Sequence, residues 1–132
     1  DETVNLMNTS PRIDYASNFH PRRTYPRGLD CEAMTRQTMK QIDHLASTAR
    51  YREHVTLYAY EHPEKFTIAS INGANDWSQL RWTVDTEDDL RLVSQIYRHF
   101  DDKPPGWKNI IKAYETNPSW KEINCHCLQK IA

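Results

Sequence analysis

The chain has 132 residues, a length that predicts one folded domain with a substantial core. Its 17 Lys and Arg residues nearly balance 18 Asp and Glu residues, and the formal net charge of −1 excludes the strongly positive surface of a protein that binds nucleic acid or an anionic membrane. No apolar run is long enough to cross a bilayer, and no signal-like segment opens the chain.

The three cysteines, Cys31, Cys125 and Cys127, are odd in number, and two of them lie only two residues apart. This pattern does not fit a disulfide framework, so we expect a reduced, cytoplasmic protein. The three glycines lie far apart, at positions 28, 73 and 106. They cannot form a glycine-rich loop around phosphates.

The first half of the chain alternates strand and helix patterns. In chain order, the sequence predicts the end of a helix at residues 4–7, strands over 13–17 and 29–34, a helix capped by Thr35, a helix over 52–61 and a strand over 66–71. Pro63 ends the helix over 52–61, because a residue that precedes proline is displaced from the helical conformation.

A carboxylate follows the next predicted strand, which covers residues 80–84. Asp85 ends that strand, and Thr86 begins a helix as its N-cap, with Asp89 three residues later in a variant of the capping box. In open α/β sheets, ligands and metals bind at the carboxyl ends of strands. Asp85 is therefore a candidate ligand.

Two more helices are predicted at the end of the chain. Trp107, Ile110, Ile111 and Tyr114 have helical spacing, and Asn117-Pro118 predicts the start of the last helix, whose apolar face would include Trp120, Ile123, Cys127, Leu128 and Ile131. The element order predicts the α/β class with two appended C-terminal helices. We expect an α/β domain over residues 1–103 and a helical extension over residues 104–132.

Three stretches together resemble a known family. They are residues 24–32 (TYPRGLDCE), residues 52–63 (REHVTLYAYEHP) and residues 80–90 (LRWTVDTEDDL). In this order and spacing they resemble the cytidylyltransferase-like proteins of spore-coat polysaccharide and surface-sugar biosynthesis, which are relatives of the CMP-KDO and acylneuraminate cytidylyltransferases. The resemblance covers nearly the whole chain. It implies a Rossmann-like nucleotide-diphospho-sugar transferase fold and the transfer of CMP from CTP to a sugar.

The resemblance also implies that the chain corresponds to the C-terminal half of such proteins. The triphosphate-binding loop and one Mg²⁺-binding aspartate would belong to the other half. We therefore expect a truncated fold and a non-catalytic sugar-binding or assembly module. The alternative is the sugar-binding half of a split nucleotidyltransferase that works with a separate N-terminal chain.

The resemblance suggests five sugar-binding candidates, Arg27, Asp30, Glu32, Arg52 and His54. Asp30 and Glu32 lie two apart on a predicted strand, so their carboxylates would face the same side and could accept sugar hydroxyls. They could equally belong to a solvent-facing strand edge or to one that is ion-paired with Arg27. Arg52 and His54 would lie beside the acceptor sugar, although a single histidine next to apolar residues is more often a packed structural residue.

Asp85 is the candidate metal ligand, because nucleotidyl transfer uses Mg²⁺ held by carboxylates and phosphate oxygens. It could instead only hydrogen-bond the turn before the helix. Cys31, Cys125, His126 and Cys127 suggest zinc, but residues 125 and 127 of a helix point in directions about 200° apart. On that ground the sequence excludes zinc, and we expect no cofactor for the isolated chain, with Mg²⁺ only if the family chemistry is retained.

A truncated sheet would expose an unpaired edge and apolar surface. We therefore expect a homodimer or a higher oligomer, and no nucleic-acid or membrane partner.

Overall fold

The computed structural model describes residues 2–128, and over this range it has a mixed α/β architecture, which confirms the predicted class. Its elements are α1 (Glu2–Thr9), β1 (Tyr15–Ser17), β2 (Glu32–Met34), α2 (Arg36–Leu45), α3 (Ala49–Glu53), α4 (Leu57–Glu61), β3 (Ile68–Ser70), α5 (Glu87–His99), α6 (Trp107–Thr116) and α7 (Trp120–Ile123).

The described residues pack into two compact units. Unit 1 contains residues 2–25 and 30–76, and unit 2 contains residues 26–29 and 77–128. The boundary expected between residues 103 and 104 separates the α/β domain of the family from a helical extension. The two packing units do not test that division, which stays a prediction.

Unit 1 is built on a three-stranded sheet in the order β2–β1–β3. The central strand β1 pairs antiparallel with β2 and parallel with β3, and all three of its residues are buried. The apolar core of the unit contains Tyr15, Ile42, Ala46, Tyr58, Ala59 and Phe66. Thr35 caps α2 by accepting a hydrogen bond from the Thr38 amide at 3.0 Å, as predicted.

The predicted single helix over residues 52–61 is wrong. The chain forms two short helices, α3 and α4, and bends between them at residues 54–56. The guanidinium of Arg50 makes two hydrogen bonds of 2.8 and 2.9 Å to the Glu61 carboxylate. In a continuous helix, eleven residues would separate these two by about 16 Å along the axis. The ion pair therefore requires the bend.

Unit 2 is mainly helical, and α5 is its longest helix. The capping box at its start is confirmed: Thr86 accepts from the Asp89 amide at 3.2 Å, and the Asp89 carboxylate accepts from the Thr86 amide at 3.1 Å. Leu92 and Ile96 on this helix are buried in the core of the unit, which also contains Leu80, Ala113, Tyr114 and Trp120.

The predicted strand over residues 80–84 is also wrong, because this segment makes only an isolated parallel bridge between Arg27 and Arg81. The Arg27 amide donates to the Leu80 carbonyl at 2.9 Å, and the Trp82 amide donates to the Arg27 carbonyl at 2.8 Å. The Leu29 amide, which would donate next to the Trp82 carbonyl in such a ladder, donates instead to the Pro26 carbonyl at 3.2 Å. The ladder therefore stops after one bridge.

The last helix is shorter than predicted. Asn117 is the C-cap of α6 rather than an N-cap, and α7 ends at Ile123. Cys127 and Leu128 thus lie beyond the helix, and Leu128 is 90% exposed. Ile131 lies outside the described residues. Because residues 125–127 are not helical, the argument that excluded zinc does not apply to them.

Within residues 2–128, each helix is too short or too polar to cross a membrane.

Candidate functional site

Glu32 lies at the first position of β2, where its carboxylate accepts hydrogen bonds from two hydroxyl groups. Glu32 Oε1 accepts a hydrogen bond from the Tyr15 hydroxyl at 3.0 Å and another from the Thr56 hydroxyl at 3.0 Å. Tyr15 is directly opposite Met34, so Glu32 is its diagonal neighbour across the β1–β2 pair. A tyrosine is long enough to reach a diagonal neighbour. The strand register thus brings Tyr15 to Glu32.

A group of aromatic rings extends from Tyr15, one of the two partners of this carboxylate. The ring of Tyr60 lies 6.0 Å from that of Tyr15 and stacks on His20, with centroids 4.7 Å apart and planes inclined by 29°. Phe19 meets the same Tyr60 ring edge-on at 6.1 Å. We refer to Tyr15, His20, Glu32, Thr56 and Tyr60 as the Glu32 cluster.

The protonation of the cluster follows from its burial. Burial raises the pKa of Tyr15 well above its usual range, and the charge of Glu32 adds to the effect. The pKa of Tyr60 is raised for the same two reasons, with burial the larger. Burial lowers the pKa of His20. Near neutral pH the two phenols therefore keep their protons, and the imidazole of His20 is favoured in its neutral form.

This combination suits a polyhydroxylated ligand. A carboxylate accepts hydroxyl hydrogens, and aromatic rings provide an apolar surface for the carbon face of a sugar ring. Ligand sites usually combine such apolar walls with a few oriented polar groups. The Glu32 cluster has both components within unit 1.

The other predicted sugar-binding residues make contacts elsewhere. Both guanidinium nitrogens of Arg23, and not Arg27, pair with the Asp30 carboxylate, the second at 2.8 Å. The exposed Arg52 pairs with Asp43 at 2.6 Å. A sugar-binding role for Asp30 and Arg52 stays a prediction, and it would require these ion pairs to be shared with the ligand.

His54 and Arg27 have backbone roles in the structure. His54 is the C-cap of α3, and its amide donates to the Arg50 carbonyl at 3.0 Å. Arg27 belongs to unit 2, where its amide and carbonyl form the bridge to residues 80–82. Their side chains are partly buried, and a sugar-binding role for either stays a prediction.

Asp85 forms an ion pair at the edge of a buried network. Its carboxylate lies 2.5 Å from Arg81 Nη2 and is 55% exposed, whereas the side chains of Arg81 and Asp89 are 7% and 0% exposed. Arg81 Nε donates to Asp89 Oδ1 at 2.9 Å. The side-chain Nδ2 of Asn124 donates both to Asp89 Oδ1 at 2.8 Å and to the Arg81 backbone carbonyl at 3.0 Å.

Asp89 is held in its charged form. Burial alone would raise its pKa, but hydrogen bonds from Arg81, Asn124, the backbone amide of Asp85 and Thr86 outweigh burial and hold the pKa well below its usual range. We call Arg81, Asp89 and Asn124 the buried network. It positions the start of α5 and, with it, Asp85.

These contacts do not suit Asp85 for Mg²⁺. Its carboxylate is already paired with the guanidinium of Arg81, and among the described residues it belongs to no group of three potential metal ligands. Mg²⁺ is usually held by carboxylates together with substrate phosphates. The assignment of Mg²⁺ to Asp85 stays a prediction, and we derive no catalytic step from it.

The sequence did not reveal the hydrogen-bond partners of Glu32 and Asp89. Tyr15 and Thr56 are 17 and 24 residues from Glu32, and Asn124 is 35 residues from Asp89. Only the capping box gave a local signal, because it placed Asp89 at the start of a helix. The other partners are set by tertiary packing.

Comparisons with known proteins agree with the resemblance found in the sequence. No protein-family model matches the chain. An uncharacterized protein of Methanocaldococcus jannaschii is 31% identical over 105 residues, which are 78% of this chain and 43% of that protein. The spore coat polysaccharide biosynthesis protein SpsF of Bacillus subtilis is 26% identical over 95 residues, which are 70% of this chain and 40% of that protein.

A solved structure has the same fold over the full length of the chain. It is a cytidylyltransferase from Leptospira borgpetersenii, similar with a TM-score of 0.85 and 28% identity. The match covers 100% of this chain and 53% of that protein. The chain thus spans about half the length of the solved relative and less than half of the two curated relatives.

Proposed function

Because this chain belongs to the cytidylyltransferase-like family, we propose that unit 1 binds an acceptor sugar of surface-polysaccharide biosynthesis at the Glu32 cluster. The observation that carries the proposal is the Glu32 carboxylate, which accepts hydrogen bonds from two hydroxyl groups. One of them belongs to Tyr15, whose ring packs against Tyr60, and Tyr60 in turn stacks on His20. A sugar hydroxyl can replace the Thr56 hydroxyl at Glu32 without leaving the carboxylate unpaired.

We propose that the residues of this chain, taken alone, bind the sugar without transferring CMP. Its three separated glycines cannot form a phosphate-binding loop, and the carboxylate of Asp85 is paired with Arg81. Neither a triphosphate site nor a metal-bound pyrophosphate leaving group is supported by these groups.

A second candidate function is the acceptor-sugar half of a split nucleotidyltransferase. It is favoured by the coverage of the solved cytidylyltransferase, of which this chain matches 53% at a TM-score of 0.85. In that case a separate chain would supply the CTP site, and CMP transfer would require both chains.

Sugar binding is tested by isothermal titration and saturation-transfer NMR with KDO, N-acetylneuraminate and a neutral hexose. In the variant Glu32→Gln the side chain loses its charge but keeps its size, and we expect affinity to fall by about tenfold or more, because hydrogen bonds to a charged group are the strong ones. Glu53→Gln, at an exposed position on α3, is the matched control and should bind like the unsubstituted chain. Equal affinity in both variants would contradict the proposed site.

The two candidate functions are distinguished by pyrophosphate release from CTP, Mg²⁺ and sugar. A sugar-binding module predicts no release with the chain alone or after addition of an N-terminal half from a relative. A split enzyme predicts release only from the mixture. Release by the chain alone would contradict both proposals.

A further inference from the structure

Three different metal-ligating side chains of unit 2 converge outside the Glu32 cluster. Asp88 lies in the first turn of α5, and His126 and Cys127 lie in the turn that follows α7. One ligand atom from each residue lies within 4.8 Å of the other two. The Nε2 atom of His126 is 2.8 Å from Asp88 Oδ2.

The two segments that carry these ligands are fixed by buried contacts. The capping box of Thr86 and Asp89 sets the first turn of α5. The 4% exposed Asn124 anchors the other segment to Asp89, and the Cys127 amide donates to the Asn124 carbonyl at 3.0 Å. Ligands held on pre-formed elements lose little conformational freedom when they bind an ion.

The ligand set is chemically typical of zinc. Zn²⁺ binds cysteine sulfur at about 2.3 Å, histidine nitrogen at about 2.0–2.1 Å and carboxylate oxygen at about 2.0–2.2 Å. A mixed set that includes a thiolate excludes Mg²⁺ and Ca²⁺, which prefer oxygen ligands. Tetrahedral bonds of these lengths separate neighbouring ligand atoms by about 3.3–3.7 Å, so small side-chain rotations from the observed spacing suffice.

We propose that Asp88 Oδ2, a ring nitrogen of His126 and Cys127 Sγ bind one Zn²⁺ ion, with water in the fourth position. The His126 side chain is 63% exposed, so the ion can enter from solvent. Two neighbouring side chains contact the proposed ligands. Arg91 Nη2 pairs with the other oxygen of Asp88, Oδ1, at 2.8 Å, and the Thr86 hydroxyl lies 3.4 Å from Cys127 Sγ. The pair with Arg91 leaves Oδ2 available and orients the carboxylate, as outer partners of metal ligands do.

The test uses the full chain, reduced and treated with a chelator, and titrated with Co²⁺ as a spectroscopic probe for Zn²⁺. The expected result is one equivalent of bound Co²⁺ with the visible bands of tetrahedral coordination and a near-ultraviolet thiolate-to-cobalt band, all removed by excess Zn²⁺. Cys127→Ser should abolish the thiolate band. His126→Gln and Asp88→Asn should weaken binding at least as much as the loss of an outer-shell partner, about 10–100-fold.

Cys125→Ser and Cys31→Ser are matched controls, because both cysteines are exposed and neither belongs to the three-ligand group. They should keep the full spectrum, and circular dichroism should show that every variant is folded. An absent thiolate band, or the same band in Cys127→Ser and Cys125→Ser, would overturn the proposal and leave an ordinary Asp88–His126 ion pair beside an unligated thiol.

Discussion

At the scale of single residues, the described chain concentrates buried charge at one place in unit 2. Arg81 and Asp89 form an ion pair with almost no exposure to solvent, and Asn124 completes the hydrogen bonds of both. A buried ion pair adds little stability over an apolar pair of the same size, because desolvation costs nearly as much as the attraction returns. Removing only one partner is different, since it leaves the other charge buried without compensation.

We expect Asp89→Asn to lower the free energy of unfolding by about 3 kcal/mol, because the buried guanidinium of Arg81 then keeps only the 55% exposed carboxylate of Asp85 as a charged partner. Urea unfolding followed by circular dichroism measures the change. Asp43→Asn is the matched control. Asp43 is 70% exposed in its pair with Arg52, and its loss should cost less than about 1 kcal/mol. Equal losses in the two variants would mean that the buried network does not stabilise the fold.

His20 predicts a pH dependence of stability. Burial against Tyr60 lowers its pKa in the folded chain, whereas in the unfolded chain the pKa is near 6.5. Between these two values the unfolded chain binds more protons, so the free energy of unfolding rises with pH through this window and levels off above about pH 7. His20→Gln should flatten this rise in urea unfolding between pH 5 and 7. His44→Gln, at an exposed position on α2, should leave it unchanged; flattening in both variants would contradict the assignment to His20.

At the scale of elements, the sequence predicted an element well where its determinants lie close together in the chain. The start of α5 is determined by Thr86 and Asp89, three residues apart, and the capping box was therefore predictable. Pairing at residues 80–84 is determined by the turn at residues 26–29, which lies far away in sequence. The apolar pattern there reflects burial of Leu80 rather than a strand.

The same reason limited prediction of the candidate site. Residue type and the family motif indicated Glu32, but its partners Tyr15 and Thr56 come from β1 and from the bend between α3 and α4. The bend brings Arg50 to Glu61, and no local helix signal in residues 52–61 indicates it.

The turn at residues 26–29 depends on Gly28, whose φ is +100°. A Cβ added there would lie 2.9 Å from the Trp82 carbonyl carbon, so both backbone conformation and space require glycine. We expect Gly28→Ala to lower the free energy of unfolding by about 1–3 kcal/mol. The measurement is thermal or urea unfolding of the two variants side by side. Gly106→Ala is the control: φ is −63°, the nearest atom is 3.9 Å away, and the cost should be about 0.5 kcal/mol or less. A smaller loss at Gly28 than at Gly106 would contradict the requirement.

At the scale of the whole molecule, each unit has its own apolar core, and some apolar side chains remain outside them. Leu90 and Tyr97 on α5 are 55% and 42% exposed, and Val84 just before that helix is 54% exposed. In unit 1 the outer strands of the sheet, β2 and β3, each have one unpaired edge within the described residues. Exposed apolar surface and open strand edges are commonly covered by association.

We therefore expect a homodimer of twice the 15.6 kDa chain mass, measured by size-exclusion chromatography with light scattering. If the exposed side of α5 forms the interface, Leu90→Lys should shift the mass toward that of the monomer. Met39→Lys, at a position on α2 that is 51% exposed, should not. A single monomeric mass at every concentration would contradict self-association.

The Asn124 side chain has a consequence for synthesis on the ribosome. Among the described residues, the three strands and the core residues of unit 1 have all been translated by residue 76, so this unit can begin to fold while later residues are still being made. Arg81 and Asp89 have both been translated by residue 89, but the amide that completes their hydrogen bonds arrives only with residue 124. Until then, a nascent chain that buried Arg81 and Asp89 would leave polar atoms without hydrogen-bond partners, which is costly. We therefore expect residues 81–89 to stay hydrated, and the core of unit 2 to form only when nearly the whole described chain has emerged.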